Sequence, residues 1–85
     1  MERYTTRQAD GHASVPPERL ADAMDRLAGF EDLLQDLGRE QEELPRQLEQ
    51  LRNQGREKTV QFRELLARKL TNTNLRLLLE QHRLL

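Results

Sequence analysis

Eighty-five residues, 34% charged against 35% hydrophobic, with no cysteine and only three aromatic side chains, exclude disulfides, thiolate metal sites and a large core. A chain of this size rarely exceeds roughly 3–5 kcal/mol of stability without a staple, and oligomerisation is the staple left open. The net charge of −1 hides a sorted distribution: residues 1–51 carry six Arg/Lys against twelve Asp/Glu, residues 52–85 eight against three. Such sorting points to partners rather than to a fold.

Residues 1–15 are polar, carry a turn signal at Asp10-Gly11 and show no hydrophobic period, so they read as a mobile N-terminal arm. Their opening lacks the apolar stretch of a signal peptide, and no run approaches the roughly 20 apolar residues of a membrane span. A soluble cytoplasmic protein with no membrane contact is the expectation. Residues 16–85 read as a single helical domain. Pro16-Pro17 suits a first helical turn, and Glu18 and Asp22 place negative charge near the positive end of a helix dipole.

From there Leu20, Ala23, Leu27, Phe30, Leu34 and Leu37 step by three and four, and the register runs on through Gln41, Leu44 and Leu48 to Leu51. This predicts a helix over 17–53. Gly38 and Pro45 strain it, giving either one helix kinked near 41–45 or two helices broken within 38–45, and the unbroken register favours the kinked helix. Gly55 reads as the residue just past its end and Thr59 as the N-cap of a second helix over 59–70, with Phe62, Leu65, Leu66 and Leu70 on one face. Thr71-Asn72-Thr73-Asn74 reads as a polar break before a third helix over 73–83, with Leu75, Leu78, Leu79 and His82 on its apolar face. The fold class is therefore all-α, a long kinked helix followed by two shorter ones in a coiled-coil-like assembly.

Three sets of residues could carry function. An acidic stripe, Asp22, Asp25, Asp32, Asp36 and Glu43, points away from the seam and could dock on a basic protein surface. Charge on outer positions is also the ordinary solvated face of such a helix. The basic half offers Arg63, Arg68, Lys69 and Arg76 for phosphate, the alternative function being a small nucleic-acid-binding regulator. A helix-turn-helix comparison half works: Ala67 and Leu70 supply the small and the apolar residue wanted. However, Thr71 stands where a glycine is wanted and Glu80 where an apolar residue is wanted, and no aromatics interleave the basic residues. Leu20, Leu27, Phe30, Leu34, Leu37, Leu78 and Leu79 form the expected self-association set, a dimer being favoured. A structural oligomerisation module with no other ligand is a third reading.

Catalysis is not expected, since Ser14 lies in the arm, no serine accompanies His12 or His82, and the carboxylates are helical and exposed. Two distant histidines make no metal site, and no cofactor motif occurs.

The segment Arg26-Leu27-Ala28-Gly29-Phe30-Glu31-Asp32 resembles the RLAxxED segment of small hypothetical proteins carried by prophages and mobile elements of anaerobic Gram-positive bacteria. The opening Met1-Glu2-Arg3-Tyr4-Thr5-Thr6-Arg7 is similar to theirs, and Lys58-Thr59-Val60-Gln61-Phe62-Arg63-Glu64-Leu65-Leu66-Ala67-Arg68-Lys69-Leu70-Thr71-Asn72 looks like their C-terminal half. The likeness extends over about two-thirds of the chain. His82 and Arg83 stand where those proteins tend to have an aromatic residue and a glycine, so the terminal cap differs. The resemblance implies a phage or mobile-element accessory protein in a bacterial cytoplasm, acting by binding and blocking a host protein. It implies no site residues.

Overall fold

The computed structural model describes residues 1–85, grouped in two compact units, Met1–Leu33 and Leu34–Leu85. The chain is mostly helical: α1 spans Leu20–Asn53 and α2 spans Val60–Gln81, and a two-stranded ribbon precedes them, β1 at Thr6–Arg7 and β2 at Ala13–Ser14. Two helices therefore replace the three read from the sequence. No helix is long and apolar enough to cross a membrane.

In the first unit, residues 1–15 form an ordered hairpin where a mobile arm was expected. Thr6 faces Ser14 and Arg7 faces Ala13 in an antiparallel pair. The Asp10 carboxylate accepts the His12 N–H at 3.0 Å, and Gly11 takes φ +89°, a left-handed conformation that glycine adopts without Cβ strain. The Gln8 N–H closes the loop on the His12 carbonyl at 2.8 Å, and the Arg7 guanidinium donates to the Gly11 carbonyl at 2.7 Å. The Asp10-Gly11 turn is thus where the sequence places it. What composition does not show is the strap that follows. Glu2 accepts from Arg19 at 2.6 Å, Arg26 donates to the Glu2 carbonyl at 2.6 Å, and the Tyr4 ring lies between the guanidiniums of Arg19 (4.4 Å) and Arg26 (3.9 Å). Arg19 and Arg26 are two turns apart on one face, which is why one aromatic ring meets both. The unit boundary falls inside residues 16–85 because the arm packs on the opening turns of the helical stretch.

A 3-10 turn over Pro17–Arg19 leads into α1, whose prolines fit because the first turn needs no N–H donors. α1 continues through Gly38 and Pro45 without a break. The carbonyl that an N–H at position 45 would have bonded belongs to Gln41, an exposed residue.

In the second unit, α1 ends in a paired cap. The Arg56 N–H bonds the Leu51 carbonyl at 2.7 Å and the Gly55 N–H bonds that of Arg52 at 2.9 Å, with Gly55 at φ +69°. Thr59 then caps α2, its hydroxyl accepting the Phe62 N–H at 3.2 Å. Both assignments match the sequence reading. The break at 71–74 does not form. Asn72 turns its side-chain amide to Glu40 and Thr73 bonds back to the Lys69 carbonyl at 3.0 Å, so neither caps a helix end.

Leu48, Leu51 and Phe62 form the core, with Leu65 and Leu66 packed against them. Contact of Leu51 with Phe62 near the connection, and of Glu40 with Arg68 and Asn72 further along, makes this an antiparallel helical hairpin. The buried α1 residues Leu37, Leu44, Leu48 and Leu51 all occupy the expected seam. Because α2 is continuous, its inner face is phased by Phe62, Leu65, Asn72 and Leu79, and Leu70 and Leu78 turn outward. The apolar faces read for separate helices over 59–70 and 73–83 are corrected accordingly.

α2 ends in the same geometry as α1: the Leu84 N–H bonds the Leu79 carbonyl at 2.9 Å and the Arg83 N–H bonds that of Glu80 at 3.0 Å. Here the left-handed position (φ +58°) is held by Arg83, a residue with a Cβ. Arg83→Gly should raise stability by about 0.5–1 kcal/mol, measured by urea unfolding. An unchanged midpoint would mean that the last turn is not part of the cooperative unit.

Candidate interaction surfaces

The one polar cluster inside the second unit is Glu40 with Arg68 and Asn72. Glu40 accepts from the Arg68 guanidinium and from the Asn72 side-chain amide, and Asn72 is the only buried polar residue. The Arg68 hydrogen bond first, then that from Asn72, holds the Glu40 carboxyl below its ordinary value of 4.5, and the same contact raises Arg68. A polar residue satisfied at one seam position disfavours slipped registers, since any slip leaves it unpaired. Glu40 has a folded pKa below its unfolded one, so its contribution is complete above 4.5 and lost as pH falls through the folded value. Glu40→Gln should therefore lower the melting temperature at neutral pH and make little difference once both proteins are below that window. An equal loss at every pH would assign the effect to packing instead.

The acidic stripe is in place. Asp22, Asp25 and Asp32 in the first unit and Asp36 and Glu43 in the second are all exposed. Asp36 pairs with Arg39 three residues on at 2.8 Å, and the others have no ion-pair partner. Of the three ion pairs in the chain, only Glu40–Arg68 joins the acidic half to the basic half. The sorted charge is thus left almost wholly unspent within one molecule.

The basic candidates do not converge. Arg68 is engaged by Glu40, Arg76 is half-buried towards the inner side of α2, and Arg63 and Lys69 are exposed on different sides of the helix. The spacing of these four around α2 offers no single basic face for a phosphate backbone.

The self-association set is divided. Leu37 and Leu79 are buried within the second unit by the chain's own hairpin, and Leu34 is half-buried. Leu20, Leu27, Phe30 and Leu78 remain exposed, Leu27 by 56%. Seven-residue spacing could not separate these groups, because it continues unchanged along α1 whereas α2, twelve residues shorter, can accompany only part of it. Residues outside the expected set join the exposed ones, among them Met24, Leu70 and Leu77. Met24 extends the α1 stripe, and Leu77 lies on the outer side of α2 beside Leu70. Their spacing from Leu20 and Leu70, four and seven residues, was the available signal.

The grooves between the helices are shallow and open, one lined by Glu40, Leu44, Pro45, Lys69 and Asn72, another by Leu51, Gln54, Arg56, Gln61 and Leu65. No three His, Cys, Asp or Glu side chains converge as a metal-holding group. His12 lies in the hairpin loop and His82 at the end of α2, both exposed. Comparison of the chain with protein families, curated proteins and solved structures gave no match.

Proposed function

We propose that this chain is a non-catalytic accessory protein of a phage or mobile element that acts in the bacterial cytoplasm by stoichiometric binding to a host protein. The observation that carries this is the unspent charge: Asp22, Asp25 and Asp32 in the first unit and Asp36 and Glu43 in the second stand exposed on helix, and the basic half of the same chain does not neutralise them. Within each unit the carboxylates recur at one- to two-turn intervals of helix, a spacing that a basic groove can take up. In its sharpest form the host target is a defence nuclease, and the stripe Asp22, Asp25, Asp32, Asp36 and Glu43 occupies the groove built for nucleic acid. The resemblance of the Arg26–Asp32 segment and the C-terminal half to mobile-element proteins supports the setting.

The test is a nuclease titration with host defence nucleases. Inhibition should saturate at one protein per nuclease, weaken with added salt and be competed by duplex DNA. Replacing the five residues by Asn or Gln should abolish inhibition and leave the far-ultraviolet spectrum unchanged, because all five side chains are exposed. Undiminished binding of that variant would overturn the reading. The nucleic-acid alternative is less well supported, since its four residues share no face.

A further inference from the structure

Two exposed stripes of the molecule are unpartnered, and each is interrupted by one charge of opposite sign. On α1, Leu20, Met24 and Leu27, continued by the half-buried Leu34, share a face, with Glu31 in the same line. This face lies opposite the acidic stripe, so it is not the surface assigned to a host partner. On the outer side of α2, Val60, Ala67, Leu70 and Leu77 share a face with Asn74, and the charge in that line is Arg63. Leu20, Leu27, Leu70 and Leu77 are each at least half exposed. Apolar rows of this length on a small monomer mark contacts with another chain.

We infer that the occupant of each stripe is the other stripe of a second copy of this chain, packed antiparallel so that Glu31 of one copy meets Arg63 of the next. Direction follows from register. With those two charges opposed, an antiparallel pairing sets Leu27 beside Ala67, Met24 beside Leu70 and Leu34 beside Val60, large against small or apolar against apolar. A parallel pairing with the same charges opposed sets Leu27 beside Thr59 and Met24 beside Arg56, both ahead of α2, and Leu70 beside Gly38, so the two apolar rows do not meet. The sign of the charge selects the partner as well. Stripe α1 on stripe α1 would leave Glu31 with no basic residue in the facing row, and α2 on α2 would leave Arg63 with no acidic one. The α1 row on the α2 row is the arrangement that opposes the single carboxylate of one to the single guanidinium of the other. It is also a staple of the kind a small cysteine-free chain needs.

The experiment is a charge swap read by sedimentation equilibrium across a concentration series. The wild-type chain should self-associate. Glu31→Arg alone and Arg63→Glu alone should each raise the dissociation constant at least tenfold, and both should keep wild-type helicity because the side chains are exposed. An equimolar mixture of the two variants, and the double variant E31R/R63E, should return to near the wild-type constant. A monomeric wild-type chain, single variants that associate as well as wild type, or a double variant that stays as weak as the singles would each overturn the inference. Neither substitution touches the five residues assigned to the host partner, so failure here and failure of the nuclease titration are separate results.

Discussion

Phe62→Ala should cost about 3–5 kcal/mol, enough to unfold most of the population of a chain this small. The reason lies in how little core there is. Six apolar residues are buried, and the central group is Leu48, Leu51 and Phe62, with Leu65 and Leu66 against it. Phe62 is the only aromatic side chain among them, and the Arg52 guanidinium lies 5.4 Å from its ring centre. Removing it leaves a gap that two leucines on a rigid helix cannot collapse into. The measurement is thermal unfolding followed at 222 nm, with Leu70→Ala as the control. Leu70 is 58% exposed, so its truncation should move the unfolding of the isolated chain by no more than about 0.5 kcal/mol. A Phe62→Ala protein as stable as wild type would remove the hairpin core described here.

Pro45→Ala should stabilise the protein by about 1–3 kcal/mol. Proline in a helix interior forfeits a backbone hydrogen bond and crowds the preceding turn, at about 3 kcal/mol relative to alanine. Alanine loosens the unfolded chain, which returns part of that gain. Position 45 is exposed and helical on both sides, so alanine adds no strain and restores the bond to the Gln41 carbonyl. The gain is read from denaturant unfolding. A loss of stability would mean that the proline ring's place in the groove it lines with Lys69 and Asn72 outweighs the missing bond.

The features legible in the sequence are those decided within a few residues. Asp10-Gly11 makes its turn because an Asx side chain and a glycine suffice for it. Gly55 and Thr59 end one helix and start the next because caps are local hydrogen bonds. The leucine spacing of α1 survives Gly38 and Pro45 because a helix with an exposed defect loses one bond and no burial. Thr71-Asn72-Thr73-Asn74 defeated the same reasoning. Four capping residues in a row read as an end, yet Glu40, thirty-two positions earlier, takes the Asn72 amide and draws position 72 onto the inner face. The N-terminal strap was hidden in the same way, since Tyr4 has nothing aromatic or apolar nearby in sequence and finds its partners at Arg19 and Arg26.

For the candidate surfaces the division is sharper. The order of residues sets the sorting of charge, and composition the absence of cysteine and the surplus of leucine, and these hold whatever the fold. Which leucines are spent and which charges are matched is decided by where α2 lies, because burial and ion pairing are properties of neighbours rather than of residues. α2 takes Leu37, Leu44, Leu48 and Leu51 for the chain's own core and pairs one acidic side chain, Glu40. Leu20, Met24 and Leu27, and nearly all the sorted charge, are exposed. Periodicity names a seam. Only the tertiary structure says how much of it is already closed, since a shorter helix cannot cover a longer one.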